Sequence, residues 1–283
     1  MAKIGIIGGS GLYQIDGIED VKEIKIDTPF GEPSDSYIVG KLGGAEVAFL
    51  PRHGRGHKIL PTELNYRANI YGMKKLGVEH IISISAVGSF KEEFRPLDIV
   101  LPDQFVDRTN QARKTTFFGE GIVAHISFAK PVCPELRKVI YKTGKEMNLA
   151  IHDRGTYLNM EGPAFSTEAE SHLYKSWGMD IIGMTNMPEA RLAREAEICF
   201  VTIAFITDYD CWREEMVTID MVIENLTKNV ETAKRLIKKI IPQIPKERDC
   251  SCKEALKYAI ITDKKLIPSH IKTKQDIIIG KYI

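Results

Sequence analysis

The stretch Glu79-His80-Ile81-Ile82-Ser83-Ile84-Ser85-Ala86-Val87 decides the fold. Its apolar run is β-branched, interrupted only by small hydroxyls and closed by Gly88, which predicts a buried strand rather than a helix. Before it, residues 62–76 read as a helix stopped by Gly77, and residues 3–8 and 46–51 read as strands. After it comes a strand within Asp98 to Val106. Residues 134–148 then read as a helix, with Pro134 in the first turn and Leu136, Val139, Ile140 and Met147 at helical spacing. A strand is predicted over 155–160, and Thr167 with Glu170 matches a capping box opening a helix to Trp177. Ile181-Ile182-Gly183-Met184 reads as a short strand, Pro188 as the start of a helix, Ile198 to Ile206 as a central strand, and 218–241 as a long amphipathic helix. Strands alternating with helices predict an α/β fold around a mostly parallel or mixed sheet. No linker divides residues 1–241, which read as one domain. Residues 242–283 form a tail with Pro245, Pro268 and many lysines, expected to pack on a neighbouring subunit or to stay partly loose.

Composition narrows the function. The 283 residues are 43% apolar and 27% charged, with a formal net charge of +1, so no global field favours nucleic acid or an anionic membrane. Any bound anion must be held locally. The longest apolar runs fall short of the roughly 20 residues a helical span needs, and Met1-Ala2-Lys3-Ile4-Gly5 runs into a strand-like segment without a secretory leader, so a cytoplasmic location is expected. Five cysteines in a chain of this length do not form a disulfide framework. Cys133 and Cys199 read as small buried hydrophobes, whereas Cys250-Ser251-Cys252 lies in a polar stretch where packing does not explain two sulfurs.

In α/β folds ligands bind at the carboxyl ends of strands, so the residues following each predicted strand carry the chemistry. Gly8-Gly9-Ser10-Gly11 can bring backbone amides and a hydroxyl to a phosphate, although it reads equally as a plain turn. It matches neither the dinucleotide nor the Walker spacing. Arg52-His53-Gly54-Arg55-Gly56-His57 places two guanidiniums and two imidazoles among glycines, which suits an oxyanion; glycine at 54 and 56 opposes a helical zinc motif. Small-residue turns recur at Ser83 to Ser89 and at Met184-Thr185-Asn186, the second just ahead of a helix N-terminus. Thr207-Asp208-Tyr209-Asp210 ends the central strand with two carboxyls suited to a purine, one for ring N7 and one for an exocyclic amine.

Nine blocks in order then carry a resemblance: Ile6-Ile7-Gly8-Gly9-Ser10-Gly11, Asp27-Thr28-Pro29-Phe30-Gly31, Pro33-Ser34-Asp35, Arg52-His53-Gly54-Arg55, Asn65-Tyr66-Arg67-Ala68-Asn69, Asp103-Gln104-Phe105, Glu161-Gly162-Pro163, Gly183-Met184-Thr185 and Thr207-Asp208-Tyr209-Asp210. Over residues 3–241 the chain resembles the methylthioadenosine phosphorylase branch of the trimeric purine nucleoside phosphorylase family. The resemblance implies a single α/β domain on a mixed, partly barrel-like sheet flanked by helices. It implies phosphate held by Ser10, Arg52, His53, Ser85, Ala86 and Thr185, ribose near Met184, and purine near Phe165, Asp208 and Asp210, with Ser166 and Ile219 setting specificity. His125 would serve a neighbouring subunit, implying a homotrimer or homohexamer, with no metal or cofactor and phosphate as co-substrate. Ala164 stands where animal members have Arg, and Ser85 where they have Thr. The Cys-x-Cys tail is similar to that of thermophilic archaeal members, where oxidised cysteines occur; it implies a Cys250–Cys252 disulfide, the alternative being free surface thiols.

The implied reaction is phosphorolysis of methylthioadenosine, and possible activity on adenosine, with Asp208 protonating N7 as the glycosidic bond opens. A phosphorylase for 6-oxo purine nucleosides is the nearest alternative; a water-using nucleosidase and a noncatalytic nucleoside-binding regulator are the others. Carboxyls at both 208 and 210 suit a 6-amino donor, and the Arg52-His53 pair suits phosphate.

Overall fold

A computed structural model describes residues 3–9, 12, 15–110, 112–213 and 219–283, with Ile219 and Met221 described by backbone alone. In chain order the strands and helices are β1 (Ile4–Gly8), β2 (Glu19–Ile24), β3 (Tyr37–Leu42), β4 (Ala45–Pro51), α1 (Tyr66–Lys75), β5 (His80–Ser89), β6 (Ile99–Val100), β7 (Gln104–Arg108), α2 (Pro134–Glu146), β8 (Ile151–His152), β9 (Thr156–Met160), α3 (Glu168–Ser176), β10 (Ile181–Gly183), α4 (Asn186–Glu195), β11 (Cys199–Asp208), α5 (Ile219–Ile240), α6 (Ser269–Lys274) and α7 (Asp276–Ile279).

The strand predicted over 79–87 is the hub of the sheet. β5 pairs in parallel with β1 and β11 and antiparallel with β10, so it branches an 11-stranded mixed sheet. The main path runs β2-β3-β4-β1-β5-β10-β9-β7, while β11 continues to β6 and β8. Among the described residues β2 and β7 do not pair, so the sheet is mixed and branched but not a closed barrel. β5 and β11 are mostly apolar, with small hydroxyls between, because both of their faces are largely covered. β2 was not legible: its sequence, Glu-Asp-Val-Lys-Glu-Ile, is exposed and lacks an apolar alternation, and it pairs along one edge with β3 while Glu23 bonds Arg55.

Helix starts are set by caps. α1 begins four residues later than the periodicity predicts, because Asn65 caps it by accepting from the Ala68 amide at 3.1 Å. Thr167 and Glu170 form the expected capping box of α3. α4 begins at Asn186, two residues before Pro188, with Thr185 as its N-cap. The stretch from 98 to 106 divides into β6 and β7 rather than forming one strand.

The tail packs on this chain's own core and is not loose. Leu256, Ala259, Ile267, Ile271, Ile278 and Ile279 join Leu50, Tyr66 and Ile70 in one buried cluster, and Lys281 Nζ lies 2.5 Å from Glu197 Oε2. The expected disulfide is absent: Cys250 and Cys252 are unbonded, and they are buried rather than exposed. The 3-10 turn Ser251–Glu254 carries both sulfurs inward to Cys133 and Cys199 instead of toward each other alone. No helix among the described residues is long and apolar enough to cross a membrane.

Candidate active site

The carboxyl ends of β5 and β11 lie side by side, and a register shift after Ile206 sets Asp208 against Gly88. A Cβ on Gly88 would lie 3.1 Å from Asp208 Oδ1 and 3.3 Å from Asp210 Cβ, so glycine is what lets both acids approach the strand. Asp208 Oδ1 accepts from the Asp210 amide at 2.8 Å, and Asp208 Oδ2 accepts from Thr207 Oγ1 at 2.7 Å. Asp210 sits in the left-handed region (φ 52°) and accepts from Ser171 Oγ at 2.5 Å. Burial raises the pKa of Asp208 despite those hydrogen bonds. For Asp210, burial is the main cause of a pKa of about 6; the Ser171 hydroxyl lowers it and the neighbouring Asp208 raises it. The sequence thus delivers two carboxyls that hold protons more firmly than free ones do.

Two strands from β5, across β1, Arg52 directly follows β4 and is 3% exposed. Its Nε donates to Glu189 Oε1 at 2.5 Å, and its Nη2 donates to Glu189 Oε2 at 3.1 Å and to Ser83 Oγ at 2.7 Å. Nη1 donates to Ile84 O at 2.9 Å, leaving one Nη1 hydrogen uncommitted among the described residues. The two-pronged face expected to address an anion is therefore closed on Glu189, and Arg52 contributes fixed positive charge plus one donor. His53 Nδ1 is 2.8 Å from Ile59 O, which places the proton on Nδ1 because a carbonyl only accepts. Its ring stacks on His57 with centroids 4.3 Å apart. Burial first, and Arg52 second, drive the His53 pKa down to about 4. Ser85 Oγ lies 3.1 Å from Tyr157 OH, Ala86 is exposed between buried neighbours in β5, and Thr185 is buried at the N-terminus of α4 without making a capping bond. Arg52 thus follows β4, Ser85 lies within β5 and Thr185 stands between β10 and α4.

A third group holds the segment expected over the nucleoside. Arg113 Nε donates to Glu161 Oε1 at 2.9 Å, its Nη2 to Glu161 O at 2.6 Å, and its Nη1 to Tyr66 OH at 3.1 Å and to Met184 O. A Cβ on Gly162 would lie 2.5 Å from Met184 Sδ, so the 161–166 loop and Met184 approach closely. Ser166 is buried with its Oγ 3.7 Å from Met160 Sδ, while Phe165 is 62% exposed. His125 is exposed and bonded through its amide to Ala259 O of the tail at 2.8 Å, placing it on the outer loop next to the tail. Ser10 and the Ile219 side chain lie outside the described residues.

Residues 3–242 match the family model described as Phosphorylase superfamily. This chain belongs to the phosphorylase superfamily. Two superfamily relatives, each named S-methyl-5′-thioadenosine phosphorylase, are similar over nearly the whole length. That of Geobacter sulfurreducens is 58% identical over 282 residues, covering 99% of each chain, and that of Koribacter versatilis is 58% identical over 283 residues, covering 99% of this chain and 97% of the relative. A solved methylthioadenosine phosphorylase from an Antarctic soil metagenomic library superimposes with a TM-score of 0.93 at 48% identity, covering 98% of both chains.

Four polar residues of this superfamily member escaped the sequence reading. Glu189 is 1% exposed and pairs with Arg52; its signal was a carboxylate just after Pro188 in the first turn of α4. Tyr157 bonds Ser85, and burial pushes its pKa up to about 12. Asn159 accepts from the Met187 amide at 2.9 Å and donates to Met184 O at 3.3 Å, so it fixes the entrance to α4. Arg113 lies in a stretch without periodicity, where nothing local marks it as buried.

Proposed function

We propose that this protein cleaves S-methyl-5′-thioadenosine with inorganic phosphate, giving adenine and 5-methylthioribose 1-phosphate. The observation that carries the reading is the full-length similarity to enzymes of that name, at 58% identity, in a chain whose two raised carboxyls stand at the end of β11. Phosphate is the nucleophile and a co-substrate, and the chemistry draws on no cofactor.

Arg52, His53, Ser10, Ser85, the Ala86 amide and Thr185 form the phosphate cradle in this reading. With Glu189 against its guanidinium, Arg52 supplies partial positive charge without trapping the dianion as an unopposed cation would. A bound dianion raises the pKa of His53 from its low resting value, so phosphate and a proton bind His53 together. A phosphate oxygen then attacks the anomeric carbon while the bond to purine N9 lengthens, and the ribosyl group passes through an oxocarbenium-like state. The electron pair of the broken bond moves into the purine. Asp208, whose pKa burial raises, delivers a proton to N7, which neutralises the leaving adenine; such an acid contributes roughly 10² to 10⁴-fold. Asp210 as a carboxylate accepts from the 6-amino group. Met184 lies beneath the ribose and Phe165 against the purine, with Ser166 and Ile219 shaping the pocket. His125, exposed on its loop, reaches the 5′ end in a neighbouring subunit of a homotrimer or of a hexamer built from two trimers. Cytoplasmic purine and methionine salvage is the matching setting.

The test is release of the free base, adenine from methylthioadenosine and adenosine and hypoxanthine from methylthioinosine, each with and without phosphate. Phosphate-dependent turnover with preference for the 6-amino substrates is expected. Turnover that ignores phosphate would assign a hydrolase instead, and preference for methylthioinosine would assign a 6-oxo phosphorylase.

A further inference from the structure

Four of the five cysteines meet in one place, away from the groups assigned to the reaction. The Sγ atoms of Cys133, Cys199, Cys250 and Cys252 all lie within 4.8 Å of one another, and all four residues are buried. They come from three separate parts of the fold. Cys133 is the N-cap of α2, Cys199 opens β11, and Cys250 and Cys252 flank the start of the 3-10 turn in the tail. Chance burial of small hydrophobes scatters cysteines through a core; here three segments distant in sequence deliver four sulfurs to one point.

The spacing suits a metal better than it suits bonds between sulfurs. A disulfide needs an S–S separation of about 2.05 Å. Cys199 Sγ and Cys250 Sγ are 3.2 Å apart. A tetrahedral ion with metal–sulfur bonds of about 2.3 Å has sulfur–sulfur edges of roughly 3.8 Å. That edge falls between the 3.2 Å of Cys199 and Cys250 and the 4.8 Å within which all four sulfurs lie.

The surroundings point to a ligand as well. A crevice with about 140 Å³ of space for water reaches Cys133, Cys199 and Cys250 and gives an entry path. His80 lines the same crevice at 6% exposure, and its Nδ1 is buried without a hydrogen-bond partner. Arg248 also lines it, with Nη1 held by Glu197 O at 2.7 Å, so a fixed cation stands near what would be a doubly negative tetrathiolate centre. The N-terminus of α2 adds the positive end of its dipole at Cys133, where no side chain caps the helix. His80 Nδ1 is placed to accept a proton that a thiol gives up, or to bond a water in the entry path.

We propose that Cys133, Cys199, Cys250 and Cys252 bind one structural zinc ion, which fastens the tail to β11 and α2. An S₄ tetrahedron selects a soft divalent ion, and zinc, having no redox chemistry, suits a structural clamp. This departs from the expectation, drawn from the family resemblance, that the protein holds no metal. Loading exchanges thiol protons for Zn²⁺ with no change of oxidation state. The tail then bonds the outer loop at His125 through Ala259 and bonds Phe117 O through Gln275 Nε2 at 2.6 Å. The clamp therefore stiffens segments far from the metal.

The experiment uses the full chain purified under reducing conditions with zinc supplied and excess removed. Elemental analysis is expected to find about one zinc per chain. Thiol titration is expected to find Cys211 alone reactive until a chelator and denaturant expose the other four. Cobalt exchanged into the protein should show thiolate-to-cobalt charge transfer and the visible bands of a tetrahedral site. Cys252→Ser should lose zinc, while Cys211→Ser keeps it. Should Cys252→Ser fail to fold, the metal content and cobalt spectrum of the wild-type protein still decide. Zinc-free protein with all thiols reactive overturns the proposal, and so does a mass four hydrogens short, which would mean two disulfides.

Discussion

Removing the charge of Glu189 tests the role assigned to Arg52. In Glu189→Gln the side chain keeps its shape but no longer opposes a guanidinium whose own side chain is 4% exposed. Two hydrogen bonds, at 2.5 Å and 3.1 Å, lose their ionic partner, and Ser83 Oγ, now donating to Glu189 Oε2 at 2.7 Å, must reorient. Leaving a buried charge without its partner costs about 3–5 kcal/mol. For a chain of this size that lowers the thermal midpoint by roughly 10 °C. Phosphate should return part of the loss, because the dianion supplies the missing counter-charge; at 100-fold over its dissociation constant any ligand of the native state adds about 2.7 kcal/mol, and the variant should gain more than the parent. The assay is the thermal midpoint at fixed protein concentration, with and without phosphate. The double variant Arg52→Met with Glu189→Gln should regain most of the stability and lose the phosphate shift. A midpoint within a degree of wild type, or phosphate stabilising neither protein, refutes the assignment.

Other outcomes follow from the acids. Asp208→Asn should lose roughly 10² to 10⁴-fold in turnover of methylthioadenosine, as expected for removal of a general acid, while the ratio of kcat/KM for methylthioinosine over methylthioadenosine rises because an amide can donate to O6; unchanged rate and discrimination would leave Asp208 a mere turn residue. With the Asp210 pKa raised to about 6, kcat/KM for methylthioadenosine should climb with pH through that value, and Ser171→Ala should move the limb upward, since the hydroxyl holds the pKa down; a limb indifferent to Ser171 counts against Asp210 as the acceptor. Glu195 accepts from Thr116 Oγ1 and the Phe117 amide, both at 2.7 Å, and burial raises its pKa to about 7. The folded protein therefore holds a proton there that the unfolded chain releases near its ordinary value of 4.5, so this stability is present at low pH and is lost as pH rises toward 7. Glu195→Gln should flatten that part of the stability profile measured by thermal denaturation, and an unaltered slope would show that Glu195 is already ionised in the fold.

What was legible in the sequence follows physical rules. β5 and β11 were legible because strands largely covered on both faces are mostly apolar along their length, and α3 because its capping box is local. β2 was not, since an exposed strand paired along one edge needs no apolar pattern. At the site, candidates at strand ends could be read off, Arg52 just after β4 and Asp208 closing β11. The partners that set their behaviour could not. Glu189 is 137 residues from Arg52 and Ser171 is 39 from Asp210, separations fixed only by the sheet. The cysteines show the same limit: Cys133 and Cys199 read as packing and Cys250-Ser251-Cys252 as a local pair, whereas the fold joins all four.

The most direct measurement of the central claim follows the phosphorus. Incubating the protein with methylthioadenosine and inorganic phosphate, and recording ³¹P spectra alongside adenine release, tests which nucleophile opens the glycosidic bond. The account predicts that inorganic phosphate is converted into a sugar 1-phosphate ester, one for each adenine formed, and that no adenine forms without it. Adenine released with free methylthioribose and an unchanged phosphate signal would contradict it.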